Sequence, residues 1–252
     1  MADLPLVSIV VPTYNRARVI KKTLASALSQ TYPRIEVIVV DDGSSDDTQA
    51  VLQSISDPRV HYFVKPNGGP SAARNFGVAK ATGKWIMYLD SDDELLPECA
   101  ATMMDWLTRH PRAVFAIPRG DRRLELYEHG KMVKFIDDSG DTPPQFTIRD
   151  IFMRNAGFSC NGLTHLRSLA DEGLRWDENL ASMEDWEFMM TIGERYPDGF
   201  LYVPAVLYKY RQRFGSDNLV SQRQYSSWAD AFEYIYTKHQ GDHMLEGQTW
   251  YP

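Results

Sequence analysis

Cysteine is scarce in this chain: Cys99 and Cys160 are the only two among 252 residues. Two thiols are too few to staple a fold of this size, so a disulfide scaffold is excluded and both are expected as free thiols in a reducing cytoplasm. Long apolar runs are missing too. No stretch approaches the roughly 20 residues needed to cross a bilayer. Met1-Ala2-Asp3-Leu4-Pro5 has no basic segment leading into an apolar one. These features predict a soluble protein without a signal peptide and leave a peripheral role at a membrane surface open. Positive charge is in the minority. The 27 Lys and Arg against 34 Asp and Glu leave a net charge of −7, which argues against a broad nucleic-acid-binding surface. Internal repeats and low-complexity segments are absent. Gly-x-Gly-x-x-Gly does not follow the first strand-like run, where Pro12-Thr13-Tyr14-Asn15 stands instead. No Gly-Lys-Ser or Gly-Lys-Thr phosphate loop occurs. Nicotinamide-dinucleotide and P-loop binding are thereby excluded.

What is present describes a globular chain. Hydrophobic residues make up 43% and charged residues 24%, enough to build one sizeable core. Leu6 to Val11 and Ile35 to Val40 are nearly continuous β-branched runs, the pattern of strands buried on both faces of a parallel sheet. Pro12 is expected to stop the first. Ile20, Leu24, Ala27 and Leu28 recur at helical spacing between them. Val51, Leu52 and Ile55 mark a second helix, with Ser44 or Ser45 as its cap. Val60 to Val64 reads as a third strand. Asn67-Gly68-Gly69-Pro70 launches a helix that Gly83 ends, with Ser71, Asn75 and Val78 on one face and Arg74 beside them. Trp85 to Leu89 predicts a strand, Pro97 opens a helix carrying Met103, Met104 and Leu107, and Ala113 to Ile117 predicts another strand. This alternation predicts an α/β fold, a Rossmann-like, mostly parallel sheet flanked by helices, over residues 1–118.

After Pro118 the texture changes. Leu124 to Ile136 reads as a hairpin around Glu128-His129-Gly130-Lys131, Asp137 to Pro144 as a polar loop and Thr147 to Asn155 as a helix. Asn161 to Leu166 predicts a strand and Glu184 to Arg195 a helix. Phe200 to Tyr210 predicts an edge or bulged strand around Pro204. Ser226 to Lys238 predicts a terminal helix bearing Trp228, Phe232 and Tyr236. Residues 119–252 are expected to continue one globular unit.

Two strands end in acidic clusters: Asp41-Asp42 follows Val40, and Asp90-Ser91-Asp92-Asp93 follows Leu89. In open α/β sheets ligands bind beyond the carboxyl ends of strands. Hard divalent cations take oxygen ligands and gather phosphates, which makes Asp90 and Asp92 candidate metal ligands. The alternative is a polar turn capping the next helix. Asp185, with Glu184 beside it, starts a helix. A carboxylate there can take a proton from a hydroxyl, or simply complement the helix dipole.

Five segments in order make the chain resemble a family 2 glycosyltransferase with the A-type glycosyltransferase fold. They are Val7-Ser8-Ile9-Val10-Val11-Pro12-Thr13-Tyr14-Asn15, Val39-Val40-Asp41-Asp42-Gly43-Ser44-Ser45-Asp46, Gly69-Pro70-Ser71-Ala72-Ala73-Arg74-Asn75, the Asp-x-Asp motif Asp90-Ser91-Asp92, and Met183-Glu184-Asp185-Trp186. The resemblance implies a metal-dependent inverting glycosyltransferase. Such an enzyme moves a sugar from a nucleotide-diphospho-sugar, a UDP-sugar, to an acceptor hydroxyl in glycan or polysaccharide synthesis. It implies that Tyr14 stacks on uracil while Pro12 and Thr13 shape that pocket. Asp42 would accept the uracil N3–H, Asp41 would line the same pocket, and Gly69 and Ser91 would belong to the nucleotide site. Arg74 would pair with a phosphate or a motif carboxylate. Asp92 would hold Mn²⁺ or Mg²⁺, Asp90 would share it while facing the sugar or ribose, and Asp93 would support it. Asp185 is the implied general base and Glu184 an acceptor-binding neighbour.

Tyr210-Arg211 and Gly215-Ser216 resemble the family's mobile C-terminal loop, with Arg211 or Arg213 as a cation for the diphosphate. Residues 1–118 would bind donor and metal, and residues 119–252 would supply the base and an acceptor-binding region. His165 reads as structural or acceptor-side, and Trp176 and Trp186 as core or sugar-stacking residues. The acceptor, whether glycan, lipid-linked or protein, and the oligomeric state are not legible. Two rivals remain. A sugar-nucleotide nucleotidyltransferase on a related fold wants a Gly-rich basic loop after the first strand, which Pro12 to Asn15 does not offer. A non-catalytic nucleotide-binding module is expected to lose Asp92 or Asp185, and both are present.

Overall fold

A computed structural model of the chain describes residues 4–128, 131–137, 159–215, 230–231, 233–235 and 237–239, with backbone alone for 122–128, 131–137 and 212–215. The loop and helix expected over 138–155, the loop after Gly215, and Trp228, Phe232 and Tyr236 lie outside the described residues.

The first half alternates as expected. Strands β1 (Val7–Thr13), β2 (Ile35–Asp41), β3 (Val60–Val64) and β4 (Trp85–Tyr88) pair in parallel, with β1 between β2 and β4. Helices α1 (Ile20–Leu28), α2 (Thr48–Gln53) and α3 (Gly69–Lys80) connect them. Next come β5 (Glu94–Leu95), α4 (Cys99–Arg109), the hairpin of β6 (Phe115–Glu128) with β7 (Lys131–Asp137), and β8 (Thr164–Leu166). The chain continues through α5 (Ser168–Asp171), α6 (Glu184–Arg195) and β9 (Phe200–Gly215). Among the described residues the nine strands form one sheet in the order β3-β2-β1-β4-β8-β6-β9-β5, with β7 on β6. Parallel pairing gives way at β8, which runs antiparallel to both β4 and β6.

β1 and β2 are buried at every position, which is why their sequences run nearly apolar, with no polar face. Successive residues face opposite sides of the sheet. Val10 and Ile38 join one apolar cluster with Trp176 and Phe188, while Ile9 and Val37 join another with Leu24, Met103 and Leu207. Each cluster draws on residues before and after position 118. The buried Glu36 carboxylate accepts from Ser8 Oγ at 2.5 Å and from the Thr82 and Gly83 amides at 2.7 and 3.1 Å, tying the exit of α3 to both strands. α3 lies so close to β1 that a methyl group on Gly77 would sit 2.5 Å from Val10 Cγ1.

Three local expectations are corrected. Pro12 does not stop β1, which runs on to Thr13. Val10 O accepts from Leu89 N, so the even-numbered residues of β1 face β4. β4 ends at Tyr88, and the missing N–H of Pro12 therefore costs no ladder bond. Neither Ser44 nor Ser45 caps α2. Asp47 holds the cap position without a side-chain bond, and Asp46 Oδ1 accepts from Thr48 N at 3.0 Å. Tyr210 and Arg211 lie within β9, which stays paired with β6 as far as Gly215. The bulge expected at Pro204 is present, because Val203 pairs with Pro118 and Val206 with the next residue, Arg119. β9 is not an edge, since it also pairs with β5. Among the described residues no helix is long and apolar enough to cross a membrane.

Candidate active site

The acidic turn after β4 is held from both sides. Asp90 N donates to Asn161 Oδ1 at 2.7 Å. Asn161 Nδ2 donates in turn to Asp93 Oδ2 at 2.5 Å, and Arg211 N donates to Asp93 Oδ1 at 2.7 Å. Asp93 is 1% exposed, so it braces the turn from inside. Burial pushes its carboxyl well above the usual carboxylate range, reinforced by the charges of Asp92 and Asp90. Ser91 is buried, and its carbonyl accepts from Thr23 Oγ1 of α1 at 2.9 Å. Asp90 and Asp92 remain partly exposed, with side chains 25% and 35% accessible.

Arg74 joins this turn to the start of α6, 110 residues further along the chain. Its Nη2 donates to Asp90 Oδ1 at 2.8 Å and its Nη1 to Glu184 Oε1 at 3.1 Å. The side chain is 5% exposed, and its guanidinium lies 4.4 Å over the Trp176 ring. Trp176 stacks on Phe188 with ring centres 4.2 Å apart, and Tyr88 meets it edge-on at 5.0 Å. At 2% exposure Trp176 is a core residue rather than a sugar platform, and Trp186 is buried as well. His165 is buried and structural, bonded to the Tyr88 hydroxyl at 2.9 Å and to Leu166 O at 2.8 Å. Burial lowers its pKa to about 4, so it is neutral.

Asp185 stands in the first turn of α6, preceded by Met183 in the left-handed conformation at φ 60°. One carboxylate oxygen accepts from Trp186 N at 2.8 Å. The residue surface is partly exposed, yet protein surrounds the carboxyl closely enough to raise its pKa to about 7. Burial is the main cause and the neighbouring Glu184 charge the second, with Arg74 opposing. A carboxyl poised near neutrality is suited to taking up a proton. Cys160 Sγ sits 3.4 Å from Asp90 Oδ1, and burial raises its thiol, so it is inert packing here rather than a nucleophile.

The ends of β1 and β2 form a second corner of the same edge. Tyr14 is 42% exposed, and Pro12 and Thr13 before it are buried. Asn15, at φ 53°, ties the two turns together. Its Oδ1 accepts from Ser45 N at 2.8 Å and its amide donates to Ser44 Oγ at 2.9 Å. Asp41 is fully buried and accepts from Ser44 N at 2.8 Å and Tyr62 Oη at 3.1 Å. The Asp42 carboxylate accepts from Gly69 N at 2.7 Å, from Gly68 N at 3.0 and 3.1 Å, and from Lys65 Nζ at 2.5 Å. Gly69 reaches this position at φ 89°, a left-handed conformation that favours glycine.

Asp92 pairs with Arg16 at 3.4 Å. Arg211 pairs with Glu94 through its side chain, and the side chain of Arg213 lies outside the described residues. Among the described residues no group of three or more His, Cys, Asp or Glu comes close enough to hold a metal ion. Asp90 and Asp92 each present a partly accessible carboxylate beyond the strand end. That set fits Mg²⁺ or Mn²⁺ completed by substrate phosphates, which needs only one or two protein carboxylates. Sequence reasoning missed Asn161, Asn15, Lys65 and Arg16. Each acts through a partner at least 23 residues distant, and although Asn15 stands in the first family-like segment, no local pattern signals these contacts.

Residues 8–172 match glycosyl transferase family 2. The succinoglycan biosynthesis protein ExoO of Rhizobium meliloti is 34% identical over 192 residues, covering 72% of this chain and 54% of that protein. A β-1,3-glucosyltransferase of Campylobacter jejuni, named for GalNAc(5)-diNAcBac-PP-undecaprenol, is 40% identical over 105 residues, covering 40% of this chain and 34% of that protein. The chain thus spans from a third to about half the length of these two relatives. The crystal structure of S. aureus TarS 1-349 in complex with UDP-GlcNAc shares the fold, with a TM-score of 0.70 and 22% identity over 94% of this chain and 67% of that one. By the extent of the family match, this chain belongs to glycosyl transferase family 2.

Proposed function

We propose that the chain transfers a sugar from a nucleotide-diphospho-sugar, a UDP-sugar, to an acceptor hydroxyl with inversion at the anomeric carbon, in glycan or polysaccharide synthesis. One observation carries this reading. Arg74 binds Asp90 at 2.8 Å and Glu184 at 3.1 Å, which brings a strand-end acid and the residue next to Asp185 to the two ends of one guanidinium. The bound UDP-GlcNAc in a structural neighbour and the glucosyltransferase name of a relative support the choice of donor class.

In this reading the base stacks on exposed Tyr14, and Asp41 and Asp42 line its pocket. Asp42 gains a place for an incoming N–H when Lys65 shifts. Asp90 and Asp92 would hold Mn²⁺ or Mg²⁺ together with the donor's diphosphate, and the cation would polarise and neutralise that leaving group. Asp185 accepts the proton of the acceptor hydroxyl as it attacks the anomeric carbon from the face opposite the diphosphate. Arg74 holds the Asp90 and Glu184 carboxylates in place through its two bonds. With free, buried Cys99 and Cys160, we assign the reaction to a reducing, cytoplasmic environment.

Thermal melting with UDP, GDP and dTDP, each with and without Mn²⁺, tests the donor site. UDP with Mn²⁺ is expected to raise the melting temperature most. No stabilisation by any nucleotide contradicts the reading.

A further inference from the structure

We propose that Lys238 is a positioning residue for the transfer reaction: its ammonium ties the segment behind Arg74 to the first turn of α6 and so sets where Asp185 stands. Residues 230–231, 233–235 and 237–238 are helical. Ala231 and Ile235 of this segment are buried in the same apolar cluster as Trp176, Trp186 and Phe188. From there Lys238 Nζ donates to Asp177 Oδ2 at 2.6 Å and to Glu187 Oε1 at 2.7 Å. One side chain thus bridges two elements that each carry part of the candidate site. The proposal rests on the sugar-transfer reading, which gives Asp185 its task.

Both ends of the bridge lead to that site. Asp177 follows Trp176, whose ring lies 4.4 Å from the Arg74 guanidinium. Trp176 also exchanges two 2.9 Å backbone bonds with the side chain of Asn75, the residue after Arg74. Glu187 stands in the first turn of α6, two residues after Asp185. At 3.6 residues per turn, side chains two positions apart leave the helix axis about 200° from one another. Lys238 therefore grips the turn from the face opposite Asp185. His239 pairs with Glu194 through Nδ1 and lies 3.6 Å from Glu187 through Nε2, which leaves Lys238 as the cation between Asp177 and Glu187.

The bridge works by charge more than by filling space. The Asp177 and Glu187 side chains are 8% and 1% exposed, and both turn an oxygen toward one ammonium. Burial raises the Asp177 carboxyl, yet the bonds from Lys238, Asn179 and Tyr234 bring its pKa down to about 2, so it is ionised at neutral pH. Without the ammonium, two carboxylates face each other where water screens them little, and their repulsion pushes the Asp177 segment away from α6. Thr191 Oγ1 donates to Glu187 at 2.7 Å and Tyr234 Oη to Asp177 at 2.8 Å, but these donors are neutral and each serves one acid. The Lys238 side chain is 37% accessible, so losing its head group opens no hole in the core.

Three variants of the full chain test the role, with melting curves to verify the fold. Lys238→Met keeps the stem and removes the charge. Lys238→Arg restores a cation, and Lys238→Met combined with Asp177→Asn removes one of the two repelling acids. UDP release from UDP-GlcNAc and UDP-glucose is followed with Mn²⁺, water standing in for the acceptor, beside UDP calorimetry and amide hydrogen exchange. Lys238→Met should lower kcat by roughly tenfold to hundredfold, the effect of moving a reacting group by up to about 1 Å. The donor KM and UDP affinity should stay within about twofold, since the donor site is not displaced. Backbone amides 187–190 should exchange at least about tenfold faster, while those of β1 keep their protection. Lys238→Arg and the double variant should each return kcat to within about threefold of wild type. Wild-type exchange in Lys238→Met, an equal loss of UDP affinity, or recovery in neither rescue variant overturns the proposal. Asp185→Asn separates this claim from the reading it rests on. If that variant is slow and Lys238→Met is not, the positioning role alone fails. If wild type releases no UDP while exchange in α6 of Lys238→Met still quickens, the tether stands and the transfer reading falls.

Discussion

Replacing Arg74 with methionine removes the cation that Asp90 and Glu184 share. The arginine is 5% exposed and bonds the two carboxylates at 2.8 and 3.1 Å, while its guanidinium lies 4.4 Å over Trp176. Methionine keeps much of the apolar stem against the indole ring but supplies no donor. Breaking a buried pair by removing one partner costs about 3–5 kcal/mol, because the remaining charge is left uncompensated. Here Asp90 and Glu184 are 25% and 16% exposed, and water recovers part of that cost. A loss of about 3 kcal/mol is the working figure. For a chain of this size that lowers the melting temperature by roughly 6–12 °C. A second signature separates this cause from a mere packing defect. Arg74 holds the Asp185 carboxyl down against burial, so its removal should move the carboxyl's titration to higher pH. Differential scanning fluorimetry gives the first quantity and a pH–activity profile the second. A variant that melts with wild type and keeps its pH profile refutes the bridge as the element that sets the site.

Three further outcomes follow. His239 lies between Glu187 and Glu194, and although burial opposes its charge, the carboxylates of those two acids raise its pKa from 6.5 to about 9. The stability it contributes is complete below pH 6.5 and lost as pH rises through about 9, so urea denaturation should show a decline over that window that His239→Gln abolishes. Gly77→Ala places a methyl group 2.5 Å from Val10 Cγ1, and overpacking of α3 on β1 should cost about 1–3 kcal/mol in the same assay. Asp92→Asn should leave UDP binding without metal unchanged and remove the increment that Mn²⁺ adds, as measured by calorimetry.

The first half of the fold was legible because strands buried on both faces run nearly apolar, as β1 and β2 do apart from Ser8 and Glu36 within them. The helix from Glu184 to Arg195 was equally plain, with acids in its first turn and apolar residues inward. Pro12 misled because its effect depends on where β4 stops, a fact of the neighbouring strand and not of β1. Arg211 misled for a similar reason. Its surroundings read as a loop until β9 is seen running beside β6 to Gly215. At the site, Asp90, Arg74 and Asp185 were named from their motifs and a pairing of Arg74 with a motif carboxylate was expected, whereas the bond from Arg74 to Glu184 was not. Asn161 illustrates the limit. It fixes Asp90 and Asp93 across separations of 71 and 68 residues, and nothing around position 161 marks it for that role.

The central claim is that Asp185 serves as the base in a donor cleft. Release of UDP from a UDP-sugar, with water standing in for the acceptor, tests it when followed across about pH 5 to 9 in wild type and in Asp185→Asn. Wild-type release should rise with pH through about 7, where the Asp185 carboxyl gives up its proton. The variant should bind UDP normally, lose that ascending limb and slow by roughly 10²–10⁴-fold. Release by Asp185→Asn at the wild-type rate, with the same pH dependence, contradicts the claim.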